Sequence, residues 1–166
     1  NIWGVCDPAE PRNRRRRSSI LVQSGSTNLI VDTAPDMREQ CLDINLQSLD
    51  GVLYTHDHSD HVNGIDDLRG FTLLRGARTP VYADAATLAS LQQRFDYIFT
   101  TAGNYPAIAT AHLIDGPFAV GDIDIQPFRQ DHGVMESLGF RFGGMAYSTD
   151  LSGLPDTAFE MLRGLD

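Results

Sequence analysis

Four side chains that can bind a metal ion, His56, His58, Asp60 and His61, lie within six consecutive residues. They follow the apolar run 51–54, which predicts a short buried strand. Side chains two residues apart on an extended chain point to the same side, so His56 and His58 can bind one ion together. Asp60 and His61 come where the chain turns into the next helix, so their side chains diverge toward a second position. The spacing therefore predicts two neighbouring metal ions.

The alternative is that these side chains are polar loop residues with no common task, which is the better interpretation for a lone histidine. Three imidazoles and a carboxylate crowded together without a cation would desolvate one another at a cost. A divalent ion instead makes each of them a favoured ligand. The density of the cluster therefore favours a metal site.

The rest of the sequence predicts a layered α/β architecture. Apolar runs at 20–22 and 29–31 around a Ser-Gly-Ser turn indicate a β-hairpin. Apolar residues spaced by three predict a helix over 61–74, and Asp84 is a candidate N-cap for a helix that ends near Phe95. Further strands are predicted at 111–114, 118–120, 123–128, 138–142 and 145–148.

Length and composition indicate one domain over residues 1–166 with a core of its own, since the chain is 42% hydrophobic. The first residue is not Met, and the last follows directly on a helical pattern, so we expect this domain to be incomplete at both ends. No apolar stretch approaches the roughly 20 residues that cross a bilayer. Cys6 and Cys41 form no C-x-x-C pair, which fits a reduced compartment and a cytoplasmic location.

Charge argues against a long nucleic acid as partner. The formal net charge is −9, and all 13 cationic side chains are arginines. A polyanion-binding surface needs clustered positive charge to release counterions. Some of the acidic residues are themselves candidate metal ligands, whose charge bound cations would neutralise. The run Arg14–Arg17, in a predicted N-terminal loop over 1–17, either contacts a substrate phosphate or is simply solvated.

The His-x-His-x-Asp-His pattern at 56–61 resembles the signature of the metallo-β-lactamase superfamily, which implies an αββα sandwich. The resemblance places Asp32, after the predicted strand 29–31, behind the ligands, where a carboxylate orients metal-bound histidines. A cap or turn residue is the alternative for Asp32. The resemblance further implies His132 as the third ligand position and Asp150 as a carboxylate bridging two ions. The implied ligands are His56, His58, Asp60, His61, His132 and Asp150, and the implied ions are two divalent cations, Zn or Mn.

The superfamily supplies a last histidine ligand beyond a further strand, and this sequence ends before one. His112 lies upstream, on a predicted strand, and is expected to be a surface residue. We therefore expect the C-terminal part of the fold to be missing and the second metal site to be incomplete within these residues.

Two stretches, 33–40 and 64–69, resemble the cyclic-phosphodiesterase branch of the superfamily. That branch includes an enzyme that opens a ribose 1,2-cyclic phosphate, and it is similar to transfer-RNA 3′-processing nucleases and to the pyrroloquinoline quinone biosynthesis protein B. Its members often bind a structural zinc through N-terminal cysteines. With Cys6 alone in that region, a four-ligand structural site is not expected.

The function predicted is a phosphodiesterase that acts on a small cyclic or diester phosphate. Two ions lower the pKa of a shared water towards about 7, and Asp60 is assigned to orient or deprotonate that water. Hydrolysis of an ester, thioester or lactam by the same centre stays open, as does a metal-binding accessory protein without turnover. A ribonuclease is disfavoured by the acidic balance. The predicted partner is a small-molecule phosphate ester, and a homodimer is left open.

Overall fold

A computed structural model describes residues 2–166; Asn1, the first residue of the predicted N-terminal loop, lies outside the described residues. Short 3₁₀ turns occur at Pro11–Asn13 and Ile65–Asp67. The remaining elements are β1 Ile20–Ser24, β2 Thr27–Val31, α1 Met37–Asp43, β3 Gly51–Leu53, α2 Ser59–Val62, α3 Leu68–Arg75, β4 Thr79–Ala83, α4 Ala85–Arg94, α5 Asp96–Phe99, β5 Ala109–Leu113, β6 Phe118–Val120, β7 Ile123–His132, β8 Met135–Phe142, β9 Met145–Tyr147 and α6 Asp156–Met161.

Two sheets make up the strand layers. The first has the order β1-β2-β3-β4-β5, and the second has the order β6-β7-β8-β9. β1 and β2 form the predicted antiparallel hairpin, whereas β2, β3, β4 and β5 run parallel to one another. The carboxyl ends of parallel strands meet at one edge, which is where open α/β sheets hold their ligands. Asp32 and the segment that begins at Thr55 therefore emerge side by side.

Alternate residues of the central strands face two different core layers. Val31 and Leu53 pack between the two sheets, together with Ile125 and Phe140 of the second sheet. Their neighbours in sequence point the other way, into a layer built with the helices. That second layer includes Ile30, Val52, Val81, Leu68, Phe71, Leu88 and Leu91. Because strand side chains alternate between faces, the successive apolar residues of β2 and β3 bury both sides of the first sheet at its centre. The predicted layered α/β architecture is confirmed.

The helix predicted over 61–74 is wrong as a single element, because it is divided into α2, a 3₁₀ turn and α3. The division falls at Gly64, whose amide donates to the carbonyl of Thr33 at 2.8 Å. A Cβ at this position would lie 2.2 Å from the carbonyl oxygen of Ala34, so the close approach requires glycine. Leu74, assigned to the apolar face, is 75% exposed. The turn fixes α2 against the chain that follows β2.

The strand predicted to end at Phe128 continues as β7 to His132 and turns directly into β8. Gly133, with φ 65°, and Val134 form the two-residue connection, which suits a tight hairpin. The hairpin carries His132 to the edge of the second sheet. Among residues 2–166, no helix combines the length and apolar character that a bilayer span requires.

Candidate metal centre

The His-x-His-x-Asp-His segment leaves β3 as extended chain and then makes one turn of helix. His58 has φ −62° and ψ 146° and stands immediately before α2, and its carbonyl accepts from the amides of His61 and Val62. The extended part presents His56 and His58, and the helical turn presents Asp60 and His61. The change of backbone conformation at His58 therefore separates the two halves of the cluster, as the spacing predicted.

Two groups of potential ligand atoms converge at this place. His56, His58, His132 and Asp150 form the first group, and Asp60, His61 and Asp150 form the second. Within each group the ligand atoms lie within 4.8 Å of one another. The structure thus brings together all six of the side chains that sequence reasoning proposed as ligands. That they bind metal remains a prediction.

Asp150 belongs to both groups, because its carboxylate lies between them. Its Oδ2 is 3.1 Å from Nε2 of His61 and 3.9 Å from Nε2 of His56. On the far side of the second group, Oδ2 of Asp60 is 3.8 Å from Nε2 of His61, and the Asp60 side chain is 57% exposed. Nε2 of His132 is 3.2 Å from Nδ1 of His58. Asp60 in the second group and His58 in the first are therefore the solvent-exposed members of the cluster.

The arrangement fits divalent cations on one observation in particular. His56 is completely buried, and its Nε2 has no hydrogen-bond partner. A buried nitrogen without a partner is unfavourable, and such an atom in a native structure calls for a ligand, a water or an ion. Together with His56, two further imidazoles and the Asp150 carboxylate form the first group, and that donor set suits Zn or Mn. A cation in the first group would supply the partner that His56 lacks.

Charge at the site is arranged for binding a cation. Burial, followed by the neighbouring imidazoles, lowers the pKa of His56 to about 4. Burial acts to raise the pKa of Asp150, but the charge of His61 and a hydrogen bond from Thr149 outweigh it and lower the pKa. At neutral pH His56 is therefore neutral and Asp150 is ionised, which are the forms that coordinate metal.

Asp32 lies behind the cluster rather than in it. It is completely buried, with φ 61°, and accepts hydrogen bonds from the amide of Thr55 at 2.8 Å, from its hydroxyl at 2.8 Å and from Nδ1 of His61 at 2.7 Å. The Thr55 hydroxyl gives its single hydrogen to Asp32, so it can only accept from Nδ1 of His56, 2.9 Å away. One carboxylate therefore holds Nδ1 of His61 directly and Nδ1 of His56 through Thr55, which leaves both Nε2 atoms directed to the site.

Sequence reasoning missed Thr55, and it also passed over the side chain between the two leading histidines. Asp57 points away from the cluster, where Ser90 donates to its carboxylate and Arg94 to its carbonyl. Arg94 also reaches the hydroxyl of Ser59 at 3.3 Å. Helix α4 is thus hydrogen-bonded to the His-x-His-x-Asp-His segment on the side away from the cluster. The alternation of strand side chains was the available signal, since Asp57 must face opposite to its neighbours.

Other predicted residues lie outside both ligand groups. His112 is an exposed residue of β5 whose ring stacks on Tyr82 with centroids 4.9 Å apart. In the arginine run, Arg16 pairs with Asp43 at 2.6 Å and Arg17 with Asp36 at 3.6 Å. Both cysteines are free. The exposed position expected of His112 is therefore confirmed. Two of the four arginines are paired with acidic side chains.

Comparison with known proteins gives one family model and several relatives. A family model described as a β-lactamase superfamily domain matches residues 27–166. A crystal structure described as a new diphosphatase from the PhnP family is 38% identical, with a TM-score of 0.87 over 98% of this chain and 63% of that chain. An octanoyltransferase of Porphyromonas gingivalis is 35% identical over 164 residues, 96% of this chain and 33% of that protein. A ribonuclease Z of Methanopyrus kandleri is 26% identical over 129 residues, 76% of this chain and 44% of that protein. The chain thus spans 63% or less of each of these proteins.

Proposed function

Since the chain belongs to the metallo-β-lactamase superfamily, we propose that it is a metal-dependent phosphodiesterase that hydrolyses a small cyclic or diester phosphate. The family-model match over residues 27–166 and the similarity to the diphosphatase structure confirm the predicted family and its α/β fold. The reaction and the substrate are the proposal.

One observation carries the proposal: histidines and aspartates from both sheets converge in two groups that share Asp150. His56, His58 and His132 would hold one cation, Asp60 and His61 the other, and Asp150 both. Two divalent ions, Zn or Mn, would activate a water and neutralise charge on the phosphate. The unpartnered Nε2 of the buried His56 supports the same assignment.

The side chains of the site have separate roles in the proposed reaction. Oxygen of a water attacks phosphorus, the bond from phosphorus to the leaving oxygen breaks, and that oxygen takes up a proton from the solvent. We assign Asp60 to accept the proton of the attacking water, because its carboxylate is the most exposed one at the cluster. Asp32 and Thr55 keep the two imidazoles in the form that leaves Nε2 free. These residues orient the ligands without meeting the substrate.

A phosphorus centre is better supported than a carbonyl centre. The 38% identical crystal structure is described as a diphosphatase, whereas the 35% identical octanoyltransferase is covered over only 33% of its length. The stretches 33–40 and 64–69 resemble cyclic phosphodiesterases. The ribonuclease relative is more distant, and the net charge of −9 favours a small substrate over RNA.

The test is a substrate panel on the full-length protein loaded with Zn²⁺ or Mn²⁺. The panel contains bis(p-nitrophenyl) phosphate, a ribose cyclic phosphate, a diphosphate-linked dinucleotide, a thioester and a single-stranded RNA. We expect hydrolysis of the simple diester and the cyclic phosphate. Hydrolysis of the thioester alone, or of none of the five by a protein that holds two equivalents of metal, would contradict the proposal.

The control for this panel is His58→Ala, compared with His112→Ala. His58 is an exposed member of the first ligand group, so its removal should abolish turnover while the domain stays folded, as judged by thermal melting. His112 is an exposed histidine outside both groups, and its removal should change neither. Activity retained by His58→Ala at full metal content would refute the assignment of the site.

A further inference from the structure

Gln130 is a completely buried amide in β7, two residues before His132. Buried polar side chains are normally hydrogen-bonded. The side-chain hydrogen bonds of Gln130 are all made with groups around Asp150. Its Nε2 donates to the carbonyl of Thr149 at 3.2 Å and to the hydroxyl of Ser137 at 3.0 Å. The contacts of this amide therefore connect the strand of one predicted ligand to the segment of another.

Both ends of the amide take part in the connection. Oε1 of Gln130 accepts from the hydroxyl of Ser148. Ser137, which lies opposite Gln130 in the β7–β8 pair, accepts from the amide and donates to the carbonyl of Asp150 at 3.4 Å. Three successive residues after β9, namely 148, 149 and 150, are therefore held by one hydrogen-bond network around the buried amide.

Asp150 has an unfavourable backbone conformation that the surrounding contacts must maintain. Its φ is 50°, in the left-handed region that residues other than glycine rarely adopt. Such a conformation persists where the surroundings determine it. The next residue of β7 completes the support, since the carbonyl of Asp131 accepts from the amide of Ser152 at 2.7 Å and its amide donates to Gly153 at 3.0 Å. The end of β7 thus holds the Asp150 segment on both sides.

Strand β8 leaves room for this network at Gly139. A Cβ on Gly139 would lie 2.9 Å from Oε1 of Gln130 and 2.2 Å from the Phe128 ring. A glycine inside a strand weakens it unless another group approaches closely, and here the amide and the ring do so. The glycine in β8 therefore leaves space for the Phe128 ring and, beside it, for the amide of Gln130.

We propose that Gln130 is a positioning residue that sets the place of the Asp150 carboxylate relative to His132, and so the geometry that both ligand groups share. This inference rests on the proposed function, since it concerns the same centre. The amide of Gln130 carries no charge, so its contribution is one of geometry. A shift of Asp150 would change both groups at once, because its carboxylate belongs to each.

The experiment compares Gln130→Leu with Gln126→Leu in the full-length protein and uses Co²⁺ as a spectroscopic probe. Gln126 is an exposed glutamine on the same strand and serves as the matched control. The metal-free proteins are titrated with Co²⁺, and the visible absorption bands report the ligand geometry. We expect Gln130→Leu to weaken Co²⁺ binding about 10- to 100-fold and to change the bands. Gln126→Leu should match the unmodified protein in both.

Co²⁺ affinity within twofold of the unmodified protein, together with unchanged bands, would overturn the inference. If Gln130→Leu does not fold, Ser148→Ala removes only one hydrogen bond of the network and should weaken Co²⁺ binding in the same direction; unaltered binding and bands there would overturn it equally. Neither readout depends on substrate. A protein that binds Co²⁺ in this Gln130-dependent way but hydrolyses no phosphate ester would refute the proposed function and leave this inference standing.

Discussion

Nδ1 of His61 lies 2.7 Å from Oδ2 of Asp32, and both side chains are fully enclosed. This contact directs Nε2 of His61 toward Asp150. It also gives a role to a carboxylate that is not itself a member of either ligand group.

Asp32→Asn should therefore weaken metal binding with a limited loss of fold. Asparagine tolerates the left-handed backbone at φ 61°. Its amide can donate where the carboxylate accepted, which would make Nδ1 of His61 the acceptor and place the proton on Nε2. We expect Zn²⁺ affinity to fall about 10- to 100-fold, measured against a chromophoric chelator. Asp43→Asn, at an exposed aspartate, is the control; equal affinity in the two variants would contradict the role of Asp32.

Thr55→Val should affect His56 through the same carboxylate. Valine keeps the shape of threonine and the amide bond to Asp32 but loses the hydroxyl that contacts Asp32 and His56. Nδ1 of the buried His56 then lacks its acceptor and Asp32 loses one of its three donors. We therefore expect a loss of about 1–3 kcal/mol in the free energy of unfolding, measured by urea denaturation of the metal-free protein.

Thr55→Ser keeps the hydroxyl and should recover most of that stability together with the Zn²⁺ affinity. A serine variant as unstable as the valine variant would mean that the methyl group, rather than the hydrogen bonds, is responsible.

Gly64→Ala should destabilise the protein because the added Cβ meets the carbonyl of Ala34. The backbone cannot move aside as a flexible side chain does, so we expect the free energy of unfolding to fall by about 1–3 kcal/mol. Gly70→Ala is the matched control, since nothing lies within 4 Å of its Cβ position and it stands inside α3. Gly70→Ala should raise the free energy of unfolding by roughly 0.5–1 kcal/mol. Thermal and urea denaturation measure both; a Gly64→Ala protein as stable as the unmodified one would show that the approach at Gly64 is not tight.

The parts of the fold that local pattern controls could be predicted from the sequence. The β1–β2 hairpin follows from two apolar runs around a turn, and helix α4 begins after Asp84, whose carboxylate accepts from the amide of Thr87 at 2.9 Å. The first four candidate ligands were predicted from spacing alone. His132 and Asp150 were assigned through the family resemblance, because residues so distant in sequence show no common period.

The remaining features depend on tertiary contacts that no local pattern records. The break at Gly64 follows from a carbonyl some thirty residues earlier. The extension of β7 was missed because buried Gln130 and the polar residues after it interrupt the apolar alternation. The hydrogen bonds from Asp32 through Thr55 to His56 depend on the parallel pairing of β2 with β3, which brings Asp32 beside Thr55.

The separation of the ligands along the chain has a consequence for stability. His61 and Asp150 are 89 residues apart; His61 follows β3 of the first sheet, and Asp150 follows β9 of the second. A cation held by both would act as a cross-link that closes a long loop, in the way that a disulfide restricts the unfolded chain. Metal loading would then stabilise the packing of the two sheets against each other, and chelation would lower the temperature at which they unfold.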